Sequence, residues 1–359
     1  MVHIEAWIYP QCMVSAVTGP LDVFAVANAI WIAQGKNQEQ RSPLFSWSLH
    51  SPDGAPVRTP SGITLHADGG IQRDTSADVI LLPGIYVGDG IAGLLQTLHA
   101  MQPLYPLLRD KYAHGSLLAA NCSASFVLAE AGLLDGGHAT TTWWLERAFK
   151  ARYPQVALRT NEVLTEYQGI LTSGAATTYL DLALHLTARY AGQDMAARVA
   201  KTLLIDANRS SQAPYMSLTQ QDSQSHSDTL VLRAQQWIQK HLHFSFQLNK
   251  MADHLTVSER TIIRHFHLAL NTTPTAYVQQ LKIELAKRLL ETTTFTLDQV
   301  CERTGYVDPS SFRRLFKRHT ALSPAEYRQQ FRQKSAAQSK LDYGCNGTLA
   351  VSKNQTPIL

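Results

Sequence analysis

At 359 residues, 45% of them apolar, the chain has the size and the ordinary composition of two globular domains and a tail. No run of eighteen apolar residues offers a membrane span, and no basic region precedes an apolar stretch at Met1-Val2-His3-Ile4-Glu5 to make a secretory signal; Cys12, Cys122, Cys301 and Cys345, far apart and without a CxxC pair, give neither a disulfide framework nor a zinc site and suit a reducing cytoplasm. The net charge of +4 is unevenly spread: residues 1–227 carry 14 basic against 18 acidic side chains, whereas residues 228–334 carry 16 against 9, so a polyanion would bind the C-terminal part.

In chain order, residues 4–9 read as a first strand closed by Pro10, and Gly19-Pro20 opens a helix reaching residue 28. Residues 45–49 alternate like a strand, Pro52-Asp53-Gly54 turns the chain, and residues 63–65 make another short strand. Residues 78–82 form a continuous apolar strand ending at Pro83-Gly84, residues 91–108 are helical, and residues 116–120 are again a buried strand. Strands alternating with helices predict an α/β domain with a largely parallel sheet. In Ala119-Ala120-Asn121-Cys122-Ser123-Ala124-Ser125 a buried strand ends and small residues start a helix over residues 126–131. A cysteine at such a junction sits near a helix N-terminus, where backbone N–H groups and the dipole lower its pKa and favour an anion. That is the geometry of a nucleophile elbow.

Several stretches, in order, carry a family resemblance: Gly19-Pro20-Leu21-Asp22-Val23-Phe24, Val79-Ile80-Leu81-Leu82-Pro83-Gly84, Asn121-Cys122-Ser123-Ala124, Leu128-Ala129-Glu130-Ala131-Gly132-Leu133-Leu134-Asp135-Gly136, Ala139-Thr140-Thr141-Thr142-Trp143-Trp144, and Leu171-Thr172-Ser173-Gly174 through Leu180-Asp181-Leu182. Residues 1–205 resemble the class I glutamine amidotransferase-like domain of the PfpI type, and above all its GlxA-like branch, which is fused to transcription regulators. The resemblance implies a flavodoxin-like α/β sandwich that serves effector sensing and dimerisation. PfpI-type hydrolases place a histidine directly after the nucleophile, where this chain has Ser123, and paired glycines for the oxyanion hole, where it has Gly84-Ile85. Cys122 therefore lacks an adjacent general base, His138 being the nearest candidate in sequence, and is expected to line a ligand site or fill space rather than catalyse. The expected ligand-lining set is Gly84, Ile85, Cys122, Ser123, Trp143 and Trp144. Tryptophan faces suit a quaternary or guanidinium cation, and related regulators are thought to sense such nitrogen compounds. The family more often has histidine at the position of Trp143, so the ligand's identity does not carry over. At least one of the two tryptophans is expected in the core, since adjacent residues point in different directions. Helices over residues 179–191 and 194–204 complete the domain or a dimer surface.

Asn208-Arg209-Ser210-Ser211-Gln212-Ala213-Pro214 and the polar run that follows read as a flexible linker over residues 208–227, which bounds the first domain at residue 207.

Beyond it, Asp228 caps a helix over residues 229–241. One helix-turn-helix pattern is then written twice. Arg264 and Arg314, Phe266 and Phe316, Pro274 and Pro324, and Tyr277 and Tyr327 each stand fifty positions apart; upstream, Leu248 aligns with Leu297 and Met251 with Val300 at forty-nine. In the first unit residues 247–254 form one helix and residues 259–270, after the N-cap Ser258, the second. Ile262, Phe266 and Ala269 face inward on it. Arg260, Ile263, Arg264 and His267 face outward, with Thr261 beside them. Thr273-Pro274 starts a long connecting helix with an apolar stripe of Tyr277, Val278, Leu281, Leu285, Leu289 and Leu290. Thr296-Leu297-Asp298-Gln299 is a capping box, Gly305 permits a turn, and Asp308-Pro309 opens the second reading helix. There Phe312 and Phe316 point in, while Ser310, Ser311, Arg313, Arg314 and Lys317 lie outward. Guanidinium groups so placed can bind guanine edges or phosphates, and Ile263 a thymine methyl.

Pro309-Ser310-Ser311-Phe312, Phe316-Lys317-Arg318 and Leu322-Ser323-Pro324-Ala325-Glu326-Tyr327-Arg328 resemble the signature of the AraC/XylS family, over all of residues 228–332. The resemblance implies two helices entering successive major-groove segments of double-stranded DNA about 34 Å apart, activation more than repression, and RNA polymerase as a further partner. Asn271 and Ala321 stand where the family usually has glycine; Asn tolerates a left-handed helix end, and Ala321 is expected to be strained there by about 1 kcal/mol. Residues 335–359 are rich in Ser, Gln, Asn and Thr and are expected to be disordered. The expectation is a cytoplasmic, homodimeric transcription regulator answering a small metabolite, with no metal, no cofactor and no membrane. Two other readings stay open: a cysteine-dependent hydrolase or amidase tethered to DNA, and a nucleoid protein without a ligand.

Overall fold

The computed structural model describes residues 1–34, 42–73, 76–217 and 226–332. Its backbone divides into two units, the first ending at Met216.

The first unit is built on a seven-stranded sheet. Its strands are β1 (Val2–Trp7), β2 (Phe45–Ser51), β5 (Gly69–Gly70), β6 (Val79–Leu82), β7 (Leu117–Asn121), β10 (Leu164–Tyr167) and β11 (Ile170–Ser173), in the order β10-β11-β7-β6-β1-β2-β5. Every pairing is parallel except β10 with β11. Two two-stranded pieces, β3 (Val57–Arg58) with β4 (Thr64–Leu65) and β8 (His138–Ala139) with β9 (Ala157–Leu158), lie outside it. The apolar runs of β6 and β7 alternate across the sheet as a two-residue period requires. Ile80, Leu82, Leu118 and Ala120 join one core, with α2 (Gly90–Ala100), α3 (Tyr105–Ala113), α4 (Ser125–Glu130) and α5 (Glu146–Arg152). Val79, Leu81, Leu117 and Ala119 join the other, with α1 (Val14–Gln34), α6 (Tyr179–Ala191) and α7 (Gln193–Thr202). Both faces are covered, which is why these strands read as continuous apolar runs. This is the flavodoxin-like α/β sandwich expected from the sequence.

Three local expectations are corrected or refined. Gly19-Pro20 does not open a helix: α1 begins at Val14 and carries Pro20 inside it. Gly19 serves packing instead, because a Cβ there would stand 2.3 Å from the Tyr179 ring at the start of α6. Residues 91–108, expected to be mostly helical, are so, but in two helices separated by a 3-10 turn at Gln102–Leu104 that contains Pro103. The third concerns residues 208–216, which belong to the first unit and not to a linker. Gln212 is buried, its Oε1 accepting the Ala175 N–H at 2.7 Å and its Nε2 within 3.3 Å of Thr140 Oγ1 and of the Thr141, Thr160 and Glu162 carbonyls. Arg209 pairs with Asp181, and Ser211 bridges to Glu162. Helix α1 is long and apolar enough to cross a membrane on length and composition alone, but Val23, Phe24 and Ala27 on it are buried against the sheet.

The second unit is helical: α8 (Thr229–Lys240), α9 (Leu248–Leu255), α10 (Glu259–Leu270), α11 (Pro274–Thr292), α12 (Leu297–Arg303), α13 (Pro309–Thr320) and α14 (Pro324–Phe331). The caps read from the sequence close as hydrogen bonds. Asp228 accepts from Val231 N, Ser258 from Thr261 N and Thr273 from Ala276 N; Thr296 with Gln299 and Ser323 with Glu326 form complete capping boxes. Asn271 and Ala321 both take left-handed backbone, at φ +50° and +59°. Residues 335–359 lie outside the described residues, as do 218–225 of the expected linker.

Candidate functional site

The helical unit presents two equivalent surfaces. In α10, Ile262 and Phe266 are buried; in α13, Phe312 and Phe316 are. Phe266 and Phe316 each meet the tyrosine eleven positions on edge to face: Phe266 with Tyr277 at 5.7 Å between centroids and Phe316 with Tyr327 at 5.4 Å. Anchoring the inner faces in the same way turns the same positions outward. Arg260, Arg264 and His267 on α10, and Ser310, Arg313, Arg314 and Lys317 on α13, are exposed, and Ile263 is 40% exposed among them. Among the described residues no carboxylate forms an ion pair with any of these arginines or with Lys317; the pairs of this unit are His265 with Asp228 and Lys287 with Glu284. Their positive charge faces solvent.

Two of the expected contact residues are partly engaged inside the helix. Thr261 is half-buried with its hydroxyl 2.8 Å from Ser258 Oγ, and Ser311 Oγ accepts from Arg314 Nη2 at 3.1 Å. Asp308 caps α13 through the Ser310 and Ser311 N–H groups at 3.0 and 2.9 Å. The Ser311 hydroxyl, with those N–H groups, holds its carboxyl below the usual range, so the cap stays charged. Sequence reasoning passed over two apolar side chains beside these surfaces: Leu268, next to His267, and Val307, next to Asp308 and 94% exposed. Their signal was available, since neither falls on the inward 3.6-residue stripe.

In the α/β unit, β7 ends at Asn121 and Cys122 turns the chain with φ +57° before α4. A non-glycine residue in that region marks strain held by its surroundings. The Cys122 carbonyl accepts from the hydroxyl pair of Ser125 and Thr141, at 3.0 and 3.1 Å. Gly84 lies against it so closely that a Cβ there would be 3.0 Å from Cys122 Cβ. The loop after β1 closes the other side: Tyr9 donates to the Pro83 carbonyl, Met13 N–H to the Gly84 carbonyl, and Cys12 bridges to Ile85.

This elbow is closed. Cys122 is 2% exposed, and burial pushes its thiol up against the opposing Ala176 and Ser123 N–H groups and the Ser123 and Thr142 hydroxyls. Ser123 Oγ accepts the Ile85 N–H at 2.8 Å and donates back to the Ile85 carbonyl at 2.7 Å. A backbone donor that could face an oxyanion is thereby used. His138 sits in β8 with its ring against Tyr167, centroids 5.4 Å apart. Near the cysteine the fully buried Asn121 Oδ1 has no hydrogen-bond partner among the described residues, and the Thr142 hydroxyl has none but the thiol it faces. Trp143 and Trp144 follow in a 3-10 turn. Neither is in the core, contrary to expectation: Trp143 is half-buried and Trp144 38% exposed. They pack edge to face on each other, 5.2 Å between centroids, which is how adjacent large rings share one surface.

Comparison with known proteins agrees with both halves. Residues 44–189 match the DJ-1/PfpI family, and residues 251–330 match a helix-turn-helix domain. The chain is 29% identical to the HTH-type transcriptional regulator CdhR of Pseudomonas aeruginosa over 287 residues, 79% of this chain and 82% of that one. It is 24% identical to the HTH-type transcriptional regulator GbdR of the same species over 324 residues, covering 89% and 84%. It is also 27% identical to an isonitrile hydratase of Pseudomonas putida over 199 residues, 55% of this chain and 76% of that enzyme.

Proposed function

Since the chain belongs to the AraC-type helix-turn-helix transcription regulators that carry a DJ-1/PfpI-family domain, we propose that α10 and α13 are the two helices with which it reads duplex DNA, and that the α/β unit senses a small metabolite. The observation that carries the reading is the repeated outward face, with exposed arginines at matching positions of α10 and α13 and, among the described residues, no carboxylate paired to them. Arg260, Arg264, Arg313 and Arg314 would bind guanine edges or phosphates, Ile263 a thymine methyl, and His267, Ser310 and Lys317 the flanking backbone. Selection from a random duplex library with the full chain tests it. Enrichment of two half-motifs about one helical turn apart is expected; recovery of unenriched sequence would reject it.

The effector would sit beside the elbow, with Asn121 Oδ1, unpartnered among the described residues, taking a donor group and the face of the exposed Trp144 ring taking a cation. A nitrogen-containing metabolite fits both. A thermal-shift screen of amino acids, betaines and polyamines checks this, because a ligand of the folded state raises its melting temperature. Homodimerisation, contact with RNA polymerase and a cytoplasmic location follow from the regulatory reading.

A second reading is favoured by the left-handed Cys122 and by the likeness to isonitrile hydratase: a thiol enzyme fused to a DNA-binding unit. The raised thiol and the occupied Ile85 N–H weigh against it. Turnover of an isonitrile or amide that disappears in Cys122→Ala would establish it.

A further inference from the structure

The two helix-turn-helix units have separate cores. One gathers Val231, Met251, Ile262, Phe266, Tyr277 and Val278; the other gathers Ile283, Ala286, Leu290, Val300, Phe312 and Phe316. Helix α11 serves both, and the change-over falls between Val278 and Ile283. Lys282 stands at that point and is 4% exposed. Its Nζ donates to the Phe244 carbonyl, in the segment before α9, at 2.8 Å, and lies 3.3 Å from the Gly305 carbonyl, in the turn between α12 and α13. The ammonium also sits 5.1 Å from the centre of the Tyr306 ring. Among the described residues no carboxylate pairs with it.

The same two segments touch directly. His243 Nδ1 is 2.8 Å from the Arg303 carbonyl. Gly305 has φ +66°, and a Cβ on it would stand 2.7 Å from the His243 and Phe244 carbonyl oxygens. Only glycine allows the turn of the second unit to lie so near the entry segment of the first. Burial pushes the Lys282 ammonium down to about 8, the sign of a cation taken out of water with only carbonyls and a ring to receive it. An apolar residue would hold one core together as well; a buried donor reaching two backbones fixes their relative placement instead.

We propose that Lys282 is a positioning residue that clasps the two helix-turn-helix units at a set rotation about α11, and so sets the spacing of the two DNA segments the protein accepts. This rests on the DNA-reading assignment of α10 and α13. Without the clasp each unit would still fold on its own core and bind its own segment, but the angle between them would relax, and tolerance of altered spacing would grow.

The test uses the full chain, the duplex recovered by selection with the wild type, and the same duplex with one base pair inserted or removed between the half-motifs. The readout is the ratio of affinities for native and altered spacing. In Lys282→Met this ratio is expected to fall by roughly tenfold, the scale of one charge-assisted hydrogen bond. A loss of stability alone lowers the active fraction on every duplex equally and leaves the ratio unchanged. His243→Ala, a change at an exposed side chain, gives a second arm should Lys282→Met not fold; its ratio is expected to fall in the same direction by a smaller factor. A ratio unchanged from wild type in the folded variants overturns the proposal. Failure of the wild type to select any sequence would instead overturn the DNA-reading assignment, so the two failures are distinct.

Discussion

Ser123 decides what Cys122 can do. By accepting the Ile85 N–H and donating to the Ile85 carbonyl it commits its one proton and occupies the Ile85 backbone donor beside the elbow. No base stands in its place, and the buried thiol is pushed above its usual 9.0. Alkylation requires the thiolate, so a raised pKa moves reactivity to higher pH. Peptide-resolved mass spectrometry of iodoacetamide-treated full chain should show Cys122 labelling still rising beyond pH 9; a plateau below pH 8 would mean an activated thiol and revive the enzyme reading. Ala321 offers a second residue-scale test. Its left-handed backbone costs a residue with a Cβ about 1–2 kcal/mol. Ala321→Gly should therefore raise unfolding free energy by about 1 kcal/mol in urea titration, whereas Asn271→Gly should be close to neutral, since asparagine tolerates the same conformation. A fall in the Ala321→Gly midpoint would contradict this.

At the scale of elements, the strap over residues 208–216 makes the sharpest expectation. Gln212 carries a buried amide whose partners come from four separate backbone sites of the α/β unit. Gln212→Ala would leave the Ala175 N–H without a partner and should cost about 1–3 kcal/mol. A first-unit fragment ending at residue 207 should likewise melt below one ending at residue 216; equal melting temperatures would show that the strap is only tethered. Reading residues 208–214 as a linker failed for a physical reason. Their composition is polar, and what satisfies them lies about 40 to 70 positions away, out of reach of any local pattern. The beginning of α1 was missed likewise, because Gly19 answers to Tyr179 and not to its own helix. The helices of the second unit were legible because their signals are local: Ser258, Asp308-Pro309, Thr296 with Gln299 and Ser323 with Glu326 each cap the helix that follows directly. The cysteine at the strand-to-helix junction was legible for the same reason. What lay beyond reach was the closing of the elbow by Tyr9 and Cys12 from the loop after β1, and the surface placement of both tryptophans.

For the whole molecule, charge and chemistry are divided between the units. The acidic excess lies in residues 1–227 and the basic excess in residues 228–334, so DNA affinity belongs to the helical unit and should fall steeply with salt as phosphate counterions are released. On the proposed reading, sequence discrimination would belong to the outward arginines, and here the two repeats can be separated. Repeating the selection with Arg264→Ala and with Arg314→Ala measures the central claim most directly. Each substitution is expected to cost about 1–3 kcal/mol and to erase sequence preference in one half-motif while leaving the other intact, with the two variants affecting opposite halves. Wild-type preference retained in both halves by both variants would contradict the claim that α10 and α13 read DNA.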